Sequence, residues 1–262
     1  MKKNKFRKVY SVKRKKTLLK NRFFRLFVLL AIATGTFLYF LFFSPVFTIK
    51  NMQVIGNEQI SEQDIVAAIK GEMTTFRGDN IFLFAPAEIK RAFLGTFPQV
   101  ADINLQRDFP DGLKISIKER KPVAIFCQDK ICFDLDKEGT LFESGATSSD
   151  SLPEIESQIF NKEVKSGTVV LSEDVLSQIL NINERLKNFG VPAEEFSVVS
   201  EQRLNSKTSE GWEIYFNLKG DTEWQLTELS ALLKAKIPSQ KRKNLEYVDL
   251  RFDKVFIYPE IK

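Results

Sequence analysis

The residue types that carry most enzymatic chemistry are scarce in this chain. Its 262 residues include no histidine, which excludes Ser–His and Cys–His nucleophile pairs and histidine-based metal sites. Its two cysteines cannot build a structural zinc site alone, and no glycine-rich phosphate loop is present. Two stretches come nearest to a site. In "DLDKEGT", Asp134, Asp136, Glu138 and Gly139 resemble the opening of a calcium loop, but the twelfth position, where a bidentate acid is needed, is Gly145. The stretch reads better as a strand that turns at Lys137-Glu138-Gly139. Glu119, beside Arg120 and Lys121, reads as a solvated or interface charge at a strand end and not as a general acid. The expectation is a protein with no catalytic, cofactor or metal residues and no small-molecule substrate.

The cysteines pose a separate question. Cys127 and Cys132 lie in "AIFCQDKICFDL", with four residues between them across a tight turn. Facing positions of a hairpin bring β-carbons to about 4.5–5.5 Å, close to what a disulfide needs. The alternative is two reduced, half-buried thiols behaving as small apolar side chains. A bridge is permitted if this part of the chain is exported.

Export is what the amino-terminal residues argue for. Of the 39 basic side chains, twelve fall within residues 1–25, which hold no acid; the first acid is Glu58, so the rest of the chain is net acidic. The basic tail abuts "LFVLLAIATGTFLYFLFF", Leu26 to Phe43, and the charge-free run continues to Ile49. About 20 apolar residues cross a bilayer core. The run is too long for a signal-peptide core and has no small-residue cleavage site after it. Phe37, Tyr39, Phe40, Phe42, Phe43 and Phe47 crowd its far end, where aromatic rings favour the headgroup region. Basic residues ahead of a span hold that side in the cytoplasm. We therefore expect a basic cytoplasmic tail at 1–25, a transmembrane helix at 26–46 and an extracytoplasmic body. The tail reads as a topology signal in contact with anionic lipid, not as a nucleic-acid site.

The body divides in two. In "FTIKNMQVIGN" an apolar strand runs into a Gly56-Asn57 turn. "SEQDIVAAIKG" is a helix capped by Ser61, with Asp64 three residues on as in a capping box. Ile65, Ala68 and Ile69 share its inner face, and Gly71 closes it. After the "FRGDN" loop, Pro86 opens a second helix that buries Ile89, Ala92 and Phe93. A hairpin follows: Ile103 and Leu105 alternate on one strand, Leu113, Ile115 and Ile117 on the other, around Pro110-Asp111-Gly112. The order strand, helix, helix, strand, strand is an α+β layer pair over 47–120.

"ERKP" marks the boundary to a second unit, 121–262. Its first part is a meander, "VAIF", "ICFDL" and "GTLFE", then a surface loop at 144–150. A helix capped by Ser172 turns Val175, Ile179, Ile182 and Leu186 inward and stops at Gly190. "FSVVSEQ" and "WEIYFNL" are strands. A further helix carries the stripe Leu226, Leu229 and Leu233 and is ended by Pro238. In "YVDLRFDKVFIYPEIK", Tyr247, Asp249 and Arg251 point one way and Val248, Leu250 and Phe252 the other. Val255 to Tyr258 then form an uncharged strand, flanked by Lys254 and Pro259, whose outer backbone has no obvious cover. Recruiting a partner strand is one use of such an edge; cover by a preceding loop is the other outcome.

The order of these elements resembles the FtsQ/DivIB family of bacterial division proteins. "VIGNEQISEQDIVAAIKG", "GDNIFLF", "FPQVADINLQRDFPDGLKISIKERKPVAIF" and "YVDLRF" carry the resemblance, over nearly all of the chain beyond residue 20. The first unit is similar to the family's POTRA domain through Val54, Gly56-Asn57, Pro98-Gln99-Val100, Arg107, Pro110, Glu119-Arg120 and Pro122-Val123-Ala124. "CFDLDKEGTLF" is similar to the aspartate–glycine hairpin of its β domain. Two features depart: Gln99 stands where the family has tryptophan, and "TEWQLTE" replaces a leucine–glycine pair. The resemblance implies a fold of one transmembrane helix, a small POTRA-like β-α-α-β-β domain and a mixed, mostly antiparallel β domain with packed helices. It also implies a non-enzymatic divisome scaffold of the bacterial inner membrane, working at the septum. Its partners would be FtsB-like and FtsL-like division proteins and other divisome membrane proteins, with the β-domain contact made by strand addition at Tyr247, Arg251, Phe252, Val255, Phe256 and Ile257. A membrane-anchored cell-wall or export enzyme with a polypeptide-binding domain is the alternative, and a POTRA-bearing translocation component a weaker one.

Overall fold

A computed structural model describes residues 22–75, 79–129, 131–144, 152–160 and 164–260. The tail at 1–21, most of the "FRGDN" loop and nearly all of the surface loop expected at 144–150 lie outside them. Helix α1, Arg22–Phe43, has no buried residue and is long and apolar enough to cross a membrane. Ser44 caps a single 3-10 turn, Pro45–Phe47, and the chain enters the first of two cores.

That core is built from β1 (Asn51–Ile55), α2 (Glu62–Thr75), α3 (Pro86–Thr96), β2 (Val100–Asp108) and β3 (Gly112–Glu119). The sheet order is β1-β3-β2, with β1 parallel and β2 antiparallel to the central strand. Ile65, Ile69 and Met73 from α2 and Ile89 and Phe93 from α3 pack on Ile103, Leu113 and Ile115. The expected cap is present: Ser61 Oγ accepts the Asp64 N–H at 3.1 Å and donates to Asp64 Oδ2 at 2.6 Å. Gly71, however, does not end α2, which continues to Thr75. An exposed glycine inside a helix costs about 1 kcal/mol. Burying Met73, two residues later, returns about 1.5–3 kcal/mol, so the extra turn forms.

Glu119 stands half-buried at the end of β3. Its carboxylate accepts the N–H groups of Glu58, Gln59 and Ile60 at 2.8–3.1 Å, holding the loop that leads into α2. The loop begins at Gly56, with φ of 85°, where a Cβ would sit 2.3 Å from the Ile117 carbonyl oxygen. Only glycine fits that approach.

The second core rests on one nine-stranded sheet. Its strands are β4 (Ala124–Gln128), β5 (Ile131–Leu135), β6 (Leu141–Ser144), β7 (Glu154–Ser157), β8 (Ala193–Ser200), β9 (Arg203–Thr208), β10 (Glu213–Asn217), β11 (Tyr247–Asp249) and β12 (Phe256–Tyr258). The spatial order is β12-β11-β10-β9-β8-β7-β4-β5-β6. Joins are antiparallel except β4–β7, β7–β8 and β10–β11. Parallel neighbours need a crossover. Helix α4 (Glu173–Asn188) supplies it between β7 and β8, and α5 (Thr222–Ala235) between β10 and β11. The two helices cover one sheet face. Leu176, Ile179, Ile182 and Leu186, with Leu226, Leu229 and Leu233, meet Phe126, Phe196, Ile214, Phe216 and Val248. Val175, expected inward, is only half-buried; Leu176 takes its place. Ser172 and Asp221 cap the helices by accepting the Val175 and Trp224 N–H groups. Cys127 faces Cys132 across β4 and β5, and the two are joined by a disulfide with α-carbons 4.2 Å apart.

The two cores meet at Arg120. Its Nε donates to the Pro98 carbonyl at 3.0 Å in the first, and its guanidinium ion-pairs with Asp136 in the second. The Asp136 side chain is 2% exposed, and its other oxygen accepts the Thr140 N–H at 2.8 Å. The calcium-like stretch is thus the β5–β6 turn, closed at Gly139 (φ of 75°), whose Cβ would lie 2.0 Å from the Leu171 carbonyl oxygen. Asp136 is committed to an arginine. Removing one partner of a buried pair costs about 3–5 kcal/mol. Arg120→Ala is accordingly expected to lower the thermal unfolding midpoint sharply, and Asp136→Asn added to it is expected to recover part of the loss.

The sheet face away from the helices carries Glu156 on β7, Glu195 on β8 and Glu213 on β10, with Lys207 of β9 between the last two. Burial raises the Glu195 pKa above the ordinary 4.5, and repulsion from Glu156 and Glu213 adds to the rise, against an opposing Lys207. A raised carboxyl contributes stability that is whole below 4.5 and is lost as pH climbs through the folded value. Glu195→Gln is expected to raise the unfolding temperature relative to the parent at neutral pH and to leave it unchanged in acid; an equal shift in both would refute the assignment.

Candidate partner-binding edge

Strand β12 forms one margin of the nine-stranded sheet. It pairs with β11 through Tyr247↔Tyr258, Val248↔Ile257 and Asp249↔Phe256, and no other described strand lies on its outer side. A margin of this kind presents unpaired N–H and C=O groups. Pro259 limits the strand, because it has no N–H to donate.

The alternation that begins at Tyr247 predicts inward positions as far as Phe252, but β11 stops at Asp249. Val248 and Leu250 are buried as expected, whereas Phe252 is 53% exposed and Asp249 only 6%. The cause is local. The Asp249 carboxylate accepts the Arg251 backbone N–H at 3.1 Å, its Nε at 2.9 Å and its Nη2 at 2.6 Å. This bidentate pair folds residues 250–253 into a turn and throws Phe252 outward. A carboxylate is buried only when so paired.

Arg251 is then laid over aromatic rings. Its guanidinium is 5.5 Å from the Tyr215 ring centre and 5.2 Å from that of Phe252, and the Arg203 guanidinium lies 4.6 Å from the Tyr215 ring centre. Tyr215, Tyr247 and Tyr258 stack in succession at 5.2 and 5.6 Å across β10, β11 and β12. Phe252 and Phe256 meet edge-to-face at 6.0 Å. Each such ring pair is worth about 0.5–1.5 kcal/mol beyond area burial, so the tyrosine stack ties a three-residue strand to its neighbours. Hydrogen bonding to Asp249 raises the Arg251 pKa, and burial, with Glu213 nearby, raises that of Tyr215. At neutral pH the margin therefore carries the Arg251 cation beside a neutral Tyr215 phenol.

The six residues expected at this edge fall into two groups. Tyr247, Arg251, Phe252 and Phe256 converge on the open side. Val255 and Ile257 turn inward, half-buried against the second core. Three aromatics were not expected as contacts. Tyr258 is 50% exposed at the end of β12, Tyr215 lies under Arg251, and Trp224 lines a groove with Asp221, Gln225 and Leu250 beside the 250–253 turn. Tyr215 has a sequence signal, since it alternates with the buried Ile214 and Phe216 as Tyr247 does with Val248. Its proximity to Tyr247 depends on a parallel pairing of β10 and β11 that local pattern does not reveal.

Comparison with known proteins bears on both halves of the body. Residues 47–120 match the family model of the FtsQ-type POTRA domain, and residues 128–251 that of the C-terminal region of cell division protein FtsQ/DivIB. Among curated relatives, cell division protein FtsQ of Chloroflexus aurantiacus is 30% identical over 110 residues, covering 42% of this chain and 38% of that one. FtsQ of Mycolicibacterium smegmatis is 29% identical over 116 residues, covering 44% and 32%. The matched stretches thus span well under half the length of either relative. Among solved structures, the major extracytoplasmic domain of the trans isomer of DivIB from Geobacillus stearothermophilus is 16% identical, covering 45% of this chain and 94% of that one. Its TM-score of 0.27 is too low to carry an argument. Strand β12 lies beyond the matched residues. The two matching regions follow one another in a single chain, behind one apolar helix, and the chain belongs to the FtsQ/DivIB family of cell division proteins.

Proposed function

We propose that this protein is a non-enzymatic scaffold of the divisome. In this reading residues 1–25 stay in the cytoplasm, 26–46 span the bacterial inner membrane once, and the POTRA domain at 47–120 and the β domain at 121–262 stand outside it at the septum. The POTRA domain gathers other division proteins. The β domain takes a strand from an FtsB-like partner, itself in complex with an FtsL-like one. One observation carries this reading: the outer side of β12 has no strand partner among the described residues, and the exposed Phe252, Phe256 and Tyr258 stand beside it. Main-chain hydrogen bonds would give the affinity, and these rings the specificity.

The margin is tested with Phe256→Asp, because Phe256 faces out and its loss spares the core. A central aromatic anchor is worth about 2 kcal/mol or more, so the FtsB-like partner is expected to bind the folded variant about thirty-fold or more weakly by pull-down or titration. Unchanged binding would refute the edge. The compartment has its own check. Outside the cytoplasm the Cys127–Cys132 bridge persists, so unreduced protein from membranes is expected to take up no iodoacetamide by mass, and two equivalents after reduction.

A further inference from the structure

The first core carries a second apolar surface, at the end where α1 joins it. Val46, Phe82, Leu83 and Phe109 are each between 40% and 57% exposed. They come from three separate stretches, the link after α1, the turn at 80–84 and the β2–β3 hairpin tip, yet they form one patch. The rings are continuous: Phe40 lies 5.9 Å from Phe47, Phe47 5.1 Å from Phe82, and Phe82 5.5 Å from Phe109.

The turn is fastened to the end of the apolar helix. Asn80 is 8% exposed; its Nδ2 donates to the Leu41 carbonyl at 2.9 Å and the Phe42 carbonyl at 3.3 Å, in the last turn of α1. Its Oδ1 accepts the Phe82 N–H at 2.9 Å, and the Ile81 N–H donates to the Phe47 carbonyl at 2.9 Å. Arg107 donates to the Ile81 and Phe84 carbonyls at 2.7 and 2.8 Å. Several backbone polar groups of the turn thus bond inward, Ile81 and Phe84 are buried in the core, and Phe82 and Leu83 point out. A segment entering the hydrocarbon boundary needs that arrangement, because unpaired backbone is costly there.

We propose that the turn at 80–84 and the hairpin tip at Phe109 form a second membrane contact, seated in the headgroup–acyl boundary of the leaflet where α1 ends. The inference rests on the reading that α1 spans the bilayer. Lipid is the occupant because the patch runs without interruption from the residues of α1 itself. A turn within hydrogen-bond reach of Leu41 and Phe42 must lie at the depth of the helix terminus. Phenylalanine and leucine are the side chains that seat interfacial segments. The POTRA core is then held against the membrane at two places and does not swing freely on a single tether.

The test uses the full chain in phosphatidylcholine–phosphatidylglycerol vesicles whose acyl chains carry bromine, a contact quencher of tryptophan. Leu83→Trp probes the turn and Phe109→Trp, on a different element, repeats the probe. Leu38→Trp reports on the span, and Ile55→Trp, at the far end of β1, on the part held in water. The parent, with Trp212 and Trp224, gives the background. Seated about 5–10 Å into the boundary, the tryptophans at 83 and 109 should lose about half or more of their added emission, and the one at 55 none. Quenching at 38 without quenching at 83 and 109 overturns the contact and leaves the span standing. No quenching at 38 overturns the span and with it the contact. Emission at 83 that is blue-shifted but unquenched would mean that protein covers the patch, and also overturns the proposal.

Discussion

The two cores of the body are bridged by one guanidinium whose acid partner is buried. Arg120 joins the Pro98 carbonyl of one hydrophobic core to the buried Asp136 of the other. The neighbouring Glu119 holds three backbone N–H groups of the loop into α2. Desolvating such a pair is expensive, and replacement by apolar residues is often neutral or better for stability. What the pair adds is direction, since a bidentate-capable, planar cation accepts few geometries. Two small cores joined only by a flexible linker would leave their surfaces free to reorient. Joined through Arg120, the end of the first core that meets α1 and the margin of the second are held in one relation.

The same device recurs at both ends of the body. Asn80 is buried where the first core meets α1, and its amide is committed to the helix-end carbonyls. Asp249 is buried where the sheet ends, and its carboxylate is committed to Arg251. In each case a buried polar side chain fixes a short turn that holds phenylalanine or leucine outward: Phe82 and Leu83 in one, Phe252 in the other. An exposed phenylalanine on a loose turn would collapse onto the nearest apolar surface. Here the turn's own hydrogen bonds prevent this, so the exposure is a property of the fold.

Much of this architecture is legible in the sequence, and the failures have definite causes. The helices read well because periodicity and caps coincide, as at Ser172 with Ile179, Ile182 and Leu186. The strands β7 and β9 escape because their inward positions are small or polar. Ile155 alternates with Ser157, and Leu204 with Ser206 and Thr208, all buried. Period-two reasoning looks for apolar residues and finds one per strand. Gly71 misleads in the other direction, since a helix-stop residue is overridden by the burial of Met73. At the edge, alternation correctly places Val248 and Leu250 but carries Phe252 inward, because the Asp249–Arg251 pair is a contact between residues that the strand pattern treats as merely alternate. That Tyr215 meets Tyr247 was not legible, because it follows from the parallel pairing of β10 with β11.

The β12 margin is a compromise between two demands. A long, flat apolar edge would pair with any exposed strand and aggregate. This one is three residues long, follows Lys254 and is stopped by Pro259, which limits promiscuous pairing. Yet a strand so short, with one neighbour, is held by few backbone bonds. It keeps its place through the half-burial of Val255 and Ile257 and the stacking of Tyr258 on Tyr247. Elements with few buried contacts lie at the low end of a protein's local stability. A strand added on the outside would give β12 a second ladder and raise that stability, so on the proposed reading binding and ordering of the margin are the same event. The features that keep the edge from aggregating are then also those that leave its completion to a partner.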